Sequence, residues 1–336
     1  MTALARPHVV LSDPSIHPAA IALLEQHCSV RVLDAYCPEA EFAAACRDAS
    51  AILARLGTVT RGVIAAAPRL RIVARHGAGV DAVDIAAATG QGIVVTTTGI
   101  LNAAAVAEYT FALLLTLARR TPEADAGMHA GAWDRDPLVG IELDGRTLGI
   151  IGLGAIGQRV ARQALGFGMQ VLASRSPRGE RQVSGVEVVP LRELLARADI
   201  VTLHLRLSPE TEGLLDAASI AAMRPGALIV NTARGELIDE TALIRALASG
   251  HLGGAALDAF VSEPLAPGSP LRSLRNVVLS PHVAGQTEAA VERVGRAAAA
   301  AVLEELAGRR PPHVFNPDAY EVRRRLGRFA EPLLRV

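Results

Sequence analysis

One glycine cluster and three ionisable side chains are the residues of this sequence whose types and spacing point to chemistry. Gly152, Gly154 and Gly157 form Gly-x-Gly-x-x-Gly between a short aliphatic run at 148–151 and a helical stretch. In that setting one glycine makes the tight turn, one lets backbone approach a pyrophosphate, and the third lets the helix pack closely on the strand. The helix N-terminus adds N–H groups and partial positive charge. Without a strand before it and a helix after it, the same spacing would be only a turn. NAD sites usually place a carboxylate about 20 residues further on to accept the ribose hydroxyls. Here Ser174, Arg175 and Ser176 occupy that place, with Arg178 following and no acid before Glu180. A guanidinium with two hydroxyls suits a 2′-phosphate, which favours NADP(H) over NAD(H). In a solvated loop the same arginine would also tolerate NAD(H).

Arg234, Glu263 and His282 each stand a few residues past a run of branched aliphatics, at 227–231, 254–258 and 277–279. Taken singly they read as a surface arginine, a solvated glutamate and a loop histidine. Taken together, at the carboxyl ends of strands in one sheet, they line the edge where such sheets bind ligands. An imidazolium there can give a proton to a carbonyl oxygen as hydride reaches the carbon, and recover it in the reverse direction. A carboxylate beside it favours the protonated ring and fixes its orientation. Arg234 can grip a substrate carboxylate through charge-assisted bonds worth about 1.5–3 kcal/mol each. The set implies reduction of a 2-oxo acid, or oxidation of the matching 2-hydroxy acid, with no metal.

These residues need strands and helices to position them, and the pattern supplies both. Residues 9–11, 30–33, 51–53, 72–74 and 93–95 read as strands, alternating with helices at 16–27, 38–48, 60–67 and 84–89. After a long helix at 103–120 and a polar segment at 121–145, six strands follow, at 148–151, 170–173, 200–203, 227–231, 254–258 and 277–279. Alternation of this kind means a parallel α/β sheet, and six strands complete a dinucleotide fold. The Ala-rich helix at 287–308 needs an apolar partner, and packing on the first lobe is the economical solution. The expected fold class is therefore α/β, with two Rossmann-like doubly wound parallel-sheet domains and the active site in the interdomain cleft. The first domain, flavodoxin-like and discontinuous, takes residues 1–102 and 286–336 and binds substrate. The NAD(P)-binding Rossmann domain takes 103–285.

Composition narrows the function classes. The 336 residues carry 34 basic and 34 acidic side chains, and every basic one is arginine. Without lysine, Schiff-base chemistry, a lysine general base and a Gly-Lys phosphate loop are excluded. A neutral balance gives no field to hold nucleic acid or an anionic membrane. Arg309, Arg310, Arg323, Arg324, Arg325 and Arg328 are interrupted by Glu304, Glu305, Asp318 and Glu321, which reads as a solvated helix face. Half the residues are apolar but only 3% aromatic, so the cores must be aliphatic, as in sheets covered on both faces. Cys28, Cys37 and Cys46 match neither a disulfide framework nor a zinc pattern, and suggest buried reduced thiols. The run at 9–11 is too brief for a signal peptide, and 85–107 is too broken by Gly, Asn and Thr to span a membrane. A cytoplasmic, soluble protein is expected.

Seven segments in order then carry a resemblance. Arg75-His-Gly-Ala-Gly-Val-Asp81, Asn102 to Glu108, Gly149 to Gly157, Met223 to Gly235, Gly254 to Asp258, Glu263-Pro264 and Ser280-Pro-His-Val-Ala-Gly285 resemble the D-isomer-specific 2-hydroxyacid dehydrogenase family. That family includes phosphoglycerate dehydrogenases and glyoxylate/hydroxypyruvate reductases. The resemblance implies catalytic roles for Arg234, Glu263 and His282, and substrate-carboxylate binding by the backbone of Ala78 and Gly79. It implies pyrophosphate contacts at Ala155 and Ile156, and a nicotinamide side formed by Thr232, Ala233, Asp258 and the final motif through Gly285. It implies a homodimer joined through the cofactor domain, which suggests the segment 121–145 as interface, with Trp133 either there or in the core. Arg175 departs from the family's common aspartate, as in its NADP-using reductases, and Arg206 stands where proline is common. The reading expects a glyoxylate- or hydroxypyruvate-type substrate and no regulatory C-terminal domain. The alternatives are a 3-phosphoglycerate-type dehydrogenase, for which Arg55 and His76 could meet a phosphorylated tail, and a dinucleotide-sensing corepressor-like binding protein. His282 and Glu263 argue against the family's formate dehydrogenase branch.

Overall fold

The structure, a computed structural model, describes residues 6–174, 183–329 and 331–334. By internal contacts the chain divides into two units, Met1–Asn102 with Thr287–Val336, and Ala103–Gln286.

The first unit begins with β1 (His8–Leu11), α1 (Pro18–Glu25), β2 (Ser29–Val32), α2 (Glu39–Ala45), β3 (Ala49–Ala54), α3 (Arg61–Ala65), β4 (Ile72–Arg75), α4 (Ile85–Gly90) and β5 (Val94–Thr96). All pairings are parallel, in the order β2-β1-β3-β4-β5, which is the flavodoxin arrangement. The central strand β3 is buried at all six positions, as expected of a strand covered on both faces, whereas the edge strand β2 is mostly exposed. Side chains of β3 alternate between two cores: Ile52 faces Val63, Ile64 and Val73, and Leu53 faces Leu11, Leu24 and Val302. Each such fully buried aliphatic contributes about 1.5–3 kcal/mol. Thr60 and Asp84 cap α3 and α4 by accepting from Val63 N and Ala87 N. Cys28, Cys37 and Cys46 are unpaired, and burial pushes Cys28 up to about 11 and Cys46 up to about 12, so these two thiols stay protonated and inert at neutral pH.

The second unit contains α5 (Ala103–Arg119), α6 (Thr121–His129), β6 (Thr147–Ile151), α7 (Ala155–Gly166), β7 (Gln170–Ser174), β8 (Val186–Val189), α8 (Leu191–Arg197), β9 (Ile200–Leu203), α9 (Ala217–Ala221), β10 (Ala227–Asn231), α10 (Glu240–Ala248), β11 (Leu252–Leu257) and β12 (Val277–Leu279). Its parallel sheet runs β12-β11-β10-β9-β6-β7-β8. Chain order reverses between β6 and β9, so the crevice for a ligand lies beyond the carboxyl ends of these two strands. The sheet has seven strands where the sequence pattern suggested six, the addition being β8 at the edge beyond β7. Only Val189 of that strand is fully buried, so its four residues lack the continuous apolar signal of the inner strands. The segment 121–145 is not uniformly irregular either, since α6 occupies its first third. Trp133 within it is 78% exposed, which removes it from the core.

The chain then returns to the first unit with α11 (Glu288–Leu306) and α12 (Ala319–Arg325). Thr287 caps α11, whose alanine and valine face packs on α1, β3 and β4. The arginines of the tail are largely engaged within the first unit: Arg309 with Glu304, Arg323 with Glu305, Arg325 with Glu321, and Arg328 with the carbonyls of Gln91 and Pro68. Among the described residues no helix is long and apolar enough to cross a membrane.

Candidate active site

The glycine cluster lies where β6 turns into α7. Gly152 has φ +102°, and a Cβ on it would lie 2.7 Å from the His204 carbonyl oxygen. A Cβ on Gly157 would lie 2.1 Å from the Gly152 carbonyl oxygen, so helix and turn meet through bare backbone. Gly154 differs from both, because the space its Cβ would enter is open. It is also the N-cap of α7 and offers no side-chain cap, unlike Thr60, Asp84 and Thr287 on their helices. The first-turn N–H groups of Ala155, Ile156 and Gly157 therefore face an open approach with the positive end of the helix dipole behind them. These are the conditions for seating a pyrophosphate. Gln158 steadies the turn by donating to the Leu153 carbonyl at 3.2 Å. Ser174 ends β7, the neighbour of β6, and is half-buried. Arg175 and Ser176 lie outside the described residues.

The three ionisable residues follow three adjacent strands, β10, β11 and β12. At the end of β10 the buried Asn231 folds the chain back on itself, accepting from Ala233 N at 3.0 Å and donating to the Arg234 carbonyl at 2.8 Å. Thr232 meets Thr110 of α5 through their hydroxyls at 3.1 Å, and the next residue, Ala233, is buried. Arg234 donates one guanidinium N–H to the Ala233 carbonyl at 2.7 Å. Gly235 comes next, and the backbone of Phe260 and Val261 passes where its Cβ would be. That close approach sets the turn carrying Arg234 beside the loop carrying Glu263.

Asp258, just past β11, is 1% exposed and gathers the loop beyond β12. Its carboxylate accepts from the Ser280 hydroxyl at 2.6 Å, Val283 N at 2.9 Å and Ala284 N at 2.8 Å. Burial pushes its carboxyl up, against the opposing pull of these donors and of His282. His282 sits inside the loop so held, in a left-handed conformation at φ 54°. Its Nδ1 donates to Glu263, at 2.8 Å to Oε2 and 3.0 Å to Oε1. Glu263 also accepts from Phe260 N at 3.1 Å. Burial raises the Glu263 carboxyl, but the hydrogen bond and charge of His282, the Phe260 N–H and the charge of Arg234 outweigh it. The carboxyl is held below its ordinary value. With Nδ1 turned to the carboxylate and the side chain about half exposed, Nε2 is the ring nitrogen left for a reacting group.

The structure thus joins Glu263 and His282 directly and brings the charge of Arg234 to bear on the carboxylate. Asp258 grips the His282 loop. Ala78 and Gly79 belong to the first unit, in the loop after β4. Gly77 opens that loop at φ 137°, and Arg75 ties it down by donating to the Gly79 carbonyl at 3.0 Å. Among the described residues the N–H groups of Ala78 and Gly79 make no hydrogen bond, which leaves them available to an anion. Nearby in the same unit, Arg55 donates to the Ser15 carbonyl at 2.5 Å and lies 3.9 Å from Asp13. His76 is half-buried and pushed down to about 4, chiefly by loss of solvent around the ring and then by Arg55. Gly285 closes the loop that Asp258 holds. Sequence reasoning missed Asn231, Gly235 and Ser280; Gly235 and Ser280 act through contacts between distant segments, and for Asn231 the one local hint was an asparagine directly before a turn. Among the described residues no group of three His, Cys, Asp or Glu side chains is placed to hold a metal ion.

Comparison with known proteins places the chain in a family. The family model described as D-isomer specific 2-hydroxyacid dehydrogenase, NAD binding domain, matches residues 111–284. D-3-phosphoglycerate dehydrogenase of Mycobacterium tuberculosis is 42% identical over 319 residues, covering 94% of this chain. The chain spans only 59% of that relative's length. Glyoxylate reductase of Aeropyrum pernix is 38% identical over 330 residues, covering 95% of this chain and 98% of the relative. Among solved structures, the NADPH-dependent glyoxylate/hydroxypyruvate reductase of Sinorhizobium meliloti, in complex with NADP and malonate, has a TM-score of 0.81 at 29% identity. It covers 94% of this chain and 98% of that one.

Proposed function

The chain belongs to the D-isomer-specific 2-hydroxyacid dehydrogenase family, and from that premise we propose that it is an NAD(P)-dependent 2-oxo acid reductase working reversibly on D-2-hydroxy acids. The observation that carries this reading is the His282–Glu263 pair at the sheet edge that also holds the uncapped glycine turn. Gly152, Gly154, Ala155, Ile156 and Gly157 would hold the dinucleotide, with Thr232, Ala233, Asp258 and Gly285 toward its nicotinamide end, and the bound group would supply or take the hydride. His282 Nε2 gives the proton to the carbonyl oxygen as the alkoxide forms and takes it back in oxidation, while Glu263 holds the ring and stabilises its charged form. Arg234 grips the substrate carboxylate and polarises the carbonyl.

The substrate class we favour is the small one, glyoxylate or hydroxypyruvate. Relatives and solved structures named glyoxylate reductase or glyoxylate/hydroxypyruvate reductase, from Aeropyrum and Sinorhizobium, support it. Arg55 is already engaged with Ser15 and Asp13, which lessens its availability to a phosphorylated tail. The 3-phosphoglycerate reading remains the second choice, supported by the higher identity to the dehydrogenases that bear that name. We favour NADP(H) because Ser174 stands at the end of β7, with Arg175 next in the sequence, where NAD sites place a carboxylate. A homodimer formed through the segment around Met128, Trp133 and Val139, all exposed, completes the proposal, and the place of action is the cytoplasm. Glyoxylate, hydroxypyruvate and 3-phosphohydroxypyruvate assayed with NADPH and NADH test it. Rapid NADPH-linked reduction of the first two supports it. Cofactor binding with no turnover of any 2-oxo acid would replace it with a dinucleotide-sensing binding protein.

A further inference from the structure

We infer that Arg206 is a second specificity-determining residue, a guanidinium that reaches the 2′-phosphate of the dinucleotide from the β9 side of the crevice. The inference rests on the dinucleotide reading above and names a residue that neither the glycine turn nor the end of β7 includes.

Its basis is the path of the chain after β9. His204 N donates to the Ile151 carbonyl at 2.8 Å, so the chain keeps step with β6 for one residue past the strand. The His204 carbonyl and the Leu205 side chain then lie against Gly152, within 2.9 Å of where its Cβ would be. Arg206 is therefore carried past the rim of the glycine turn itself. Its backbone is fixed there, because Thr211 Oγ1 donates to the Arg206 carbonyl at 2.8 Å and accepts from Ser208 N at 2.8 Å. The side chain is treated differently from the backbone. It is exposed, and among the described residues it forms no ion pair, hydrogen bond or ring contact. Arg146, Arg197 and Arg224 of the same unit each pair with a carboxylate. An arginine on a fixed backbone with an uncommitted fork is suited to a phosphate that arrives from solvent.

Strand order says which phosphate. β9 and β7 flank β6 on its two sides, about 10 Å apart at two strand spacings. A dinucleotide whose pyrophosphate rests on the first turn of α7 extends its adenosine ribose toward the end of β7, where Ser174 stands. The 2′ position then lies beyond the end of β7, on the side of β6 that a long side chain from the loop after β9 can approach. The pyrophosphate has its own donors in the α7 N-terminus. An adenosine lacking the 2′-phosphate would offer Arg206 no anion there.

Calorimetric titration of the full chain with 2′,5′-ADP and with 5′-AMP tests this without turnover. The wild type should bind 2′,5′-ADP more tightly than 5′-AMP. Arg206→Gln should weaken 2′,5′-ADP by about 10- to 100-fold, the range for a charge-assisted phosphate contact, and leave 5′-AMP unchanged. Arg206→Lys should recover part of the loss. Equal weakening of both ligands, an unchanged ratio between them, or a wild type that prefers 5′-AMP would each overturn the inference while leaving the dinucleotide site in place. A wild type that binds neither these nor NADH and NADPH would overturn that reading, and this one with it.

Discussion

Gly235→Ala places one methyl group where the structure has no room, and its effect should be out of proportion to its size. The added Cβ would lie 2.1 Å from the Phe260 carbonyl carbon, 2.2 Å from Val261 N and 2.6 Å from the Phe260 Cα. All three are backbone atoms, so no rotamer change relieves the overlap. Ordinary contact begins at 3.4 Å, so the two segments must separate by about 1.3 Å. One of those segments carries Arg234 and the other positions Glu263 through the Phe260 N–H. A misplacement of about 1 Å in a catalytic array costs on the order of 10²-fold in rate. Overpacking of this kind costs about 1–3 kcal/mol of stability, and each kcal/mol lowers the melting temperature of a unit this size by about 2–4 °C. Gly235→Ala should therefore fold and bind NADPH, melt several degrees early and lose on the order of 10²-fold in kcat. Steady-state kinetics with glyoxylate, cofactor titration by fluorescence and a melting curve provide the readouts. Gly62→Ala is the matched control. Its Cβ would meet an atom at 2.3 Å, but that atom is the carboxylate end of the flexible Glu39 side chain, so it should be nearly silent. Wild-type kcat in Gly235→Ala would refute the reasoning that this close approach aligns the site.

Asp258→Asn should destabilise the loop that carries His282. The amide nitrogen cannot accept, so at least one of the donors from Ser280, Val283 and Ala284 loses its partner, at about 1–3 kcal/mol, and kcat should fall with Tm. Glu263 contributes through pH. Because its folded carboxyl is held below the ordinary value, the stabilisation is present at neutral pH and is lost as pH falls through that lowered value. Glu263→Gln should therefore melt with a shallower acid limb than the wild type, and an identical limb would contradict the ionised pair. His76 and His204 act in the opposite sense to a paired histidine. Burial pushes them down to about 4 and about 3, so below about pH 6.5 the unfolded chain takes up protons that the folded chain refuses. Stability should fall as pH drops from there toward those values, and His204→Asn should flatten part of that fall; an unaltered slope would count against a neutral buried ring.

Much of this molecule is legible in its sequence because parallel sheets write themselves as aliphatic runs. The inner strands β3, β9 and β10 are buried at every residue, and such runs have no polar alternation to confuse with a surface strand. β8 was not legible, since Val-Glu-Val-Val at an edge is indistinguishable from a loop by hydrophobicity alone. Arg234, Glu263 and His282 could be picked out because each follows a strand at the edge where ligands bind. The contacts that align them could not. Gly235 meets Phe260 and Val261 about 25 residues away, and Asp258 reaches Ser280 at a separation of 22. Such pairings become visible only once the sheet has placed β10, β11 and β12 side by side. Trp133 shows the reverse limit, since a lone tryptophan in a polar segment gives no sign of which way it faces, and the fold leaves it on the surface.

The most direct measurement follows deuterium from the cofactor into product with the wild type and His282→Ala side by side. The wild type should transfer deuteride from deuterated NADPH to C2 of a prochiral 2-oxo acid and yield the D-2-hydroxy acid. His282→Ala should bind NADPH as tightly and lose about 10²- to 10⁴-fold in turnover, the usual range for a general acid. An L-configured product, or undiminished turnover without the imidazole, would contradict the assignment.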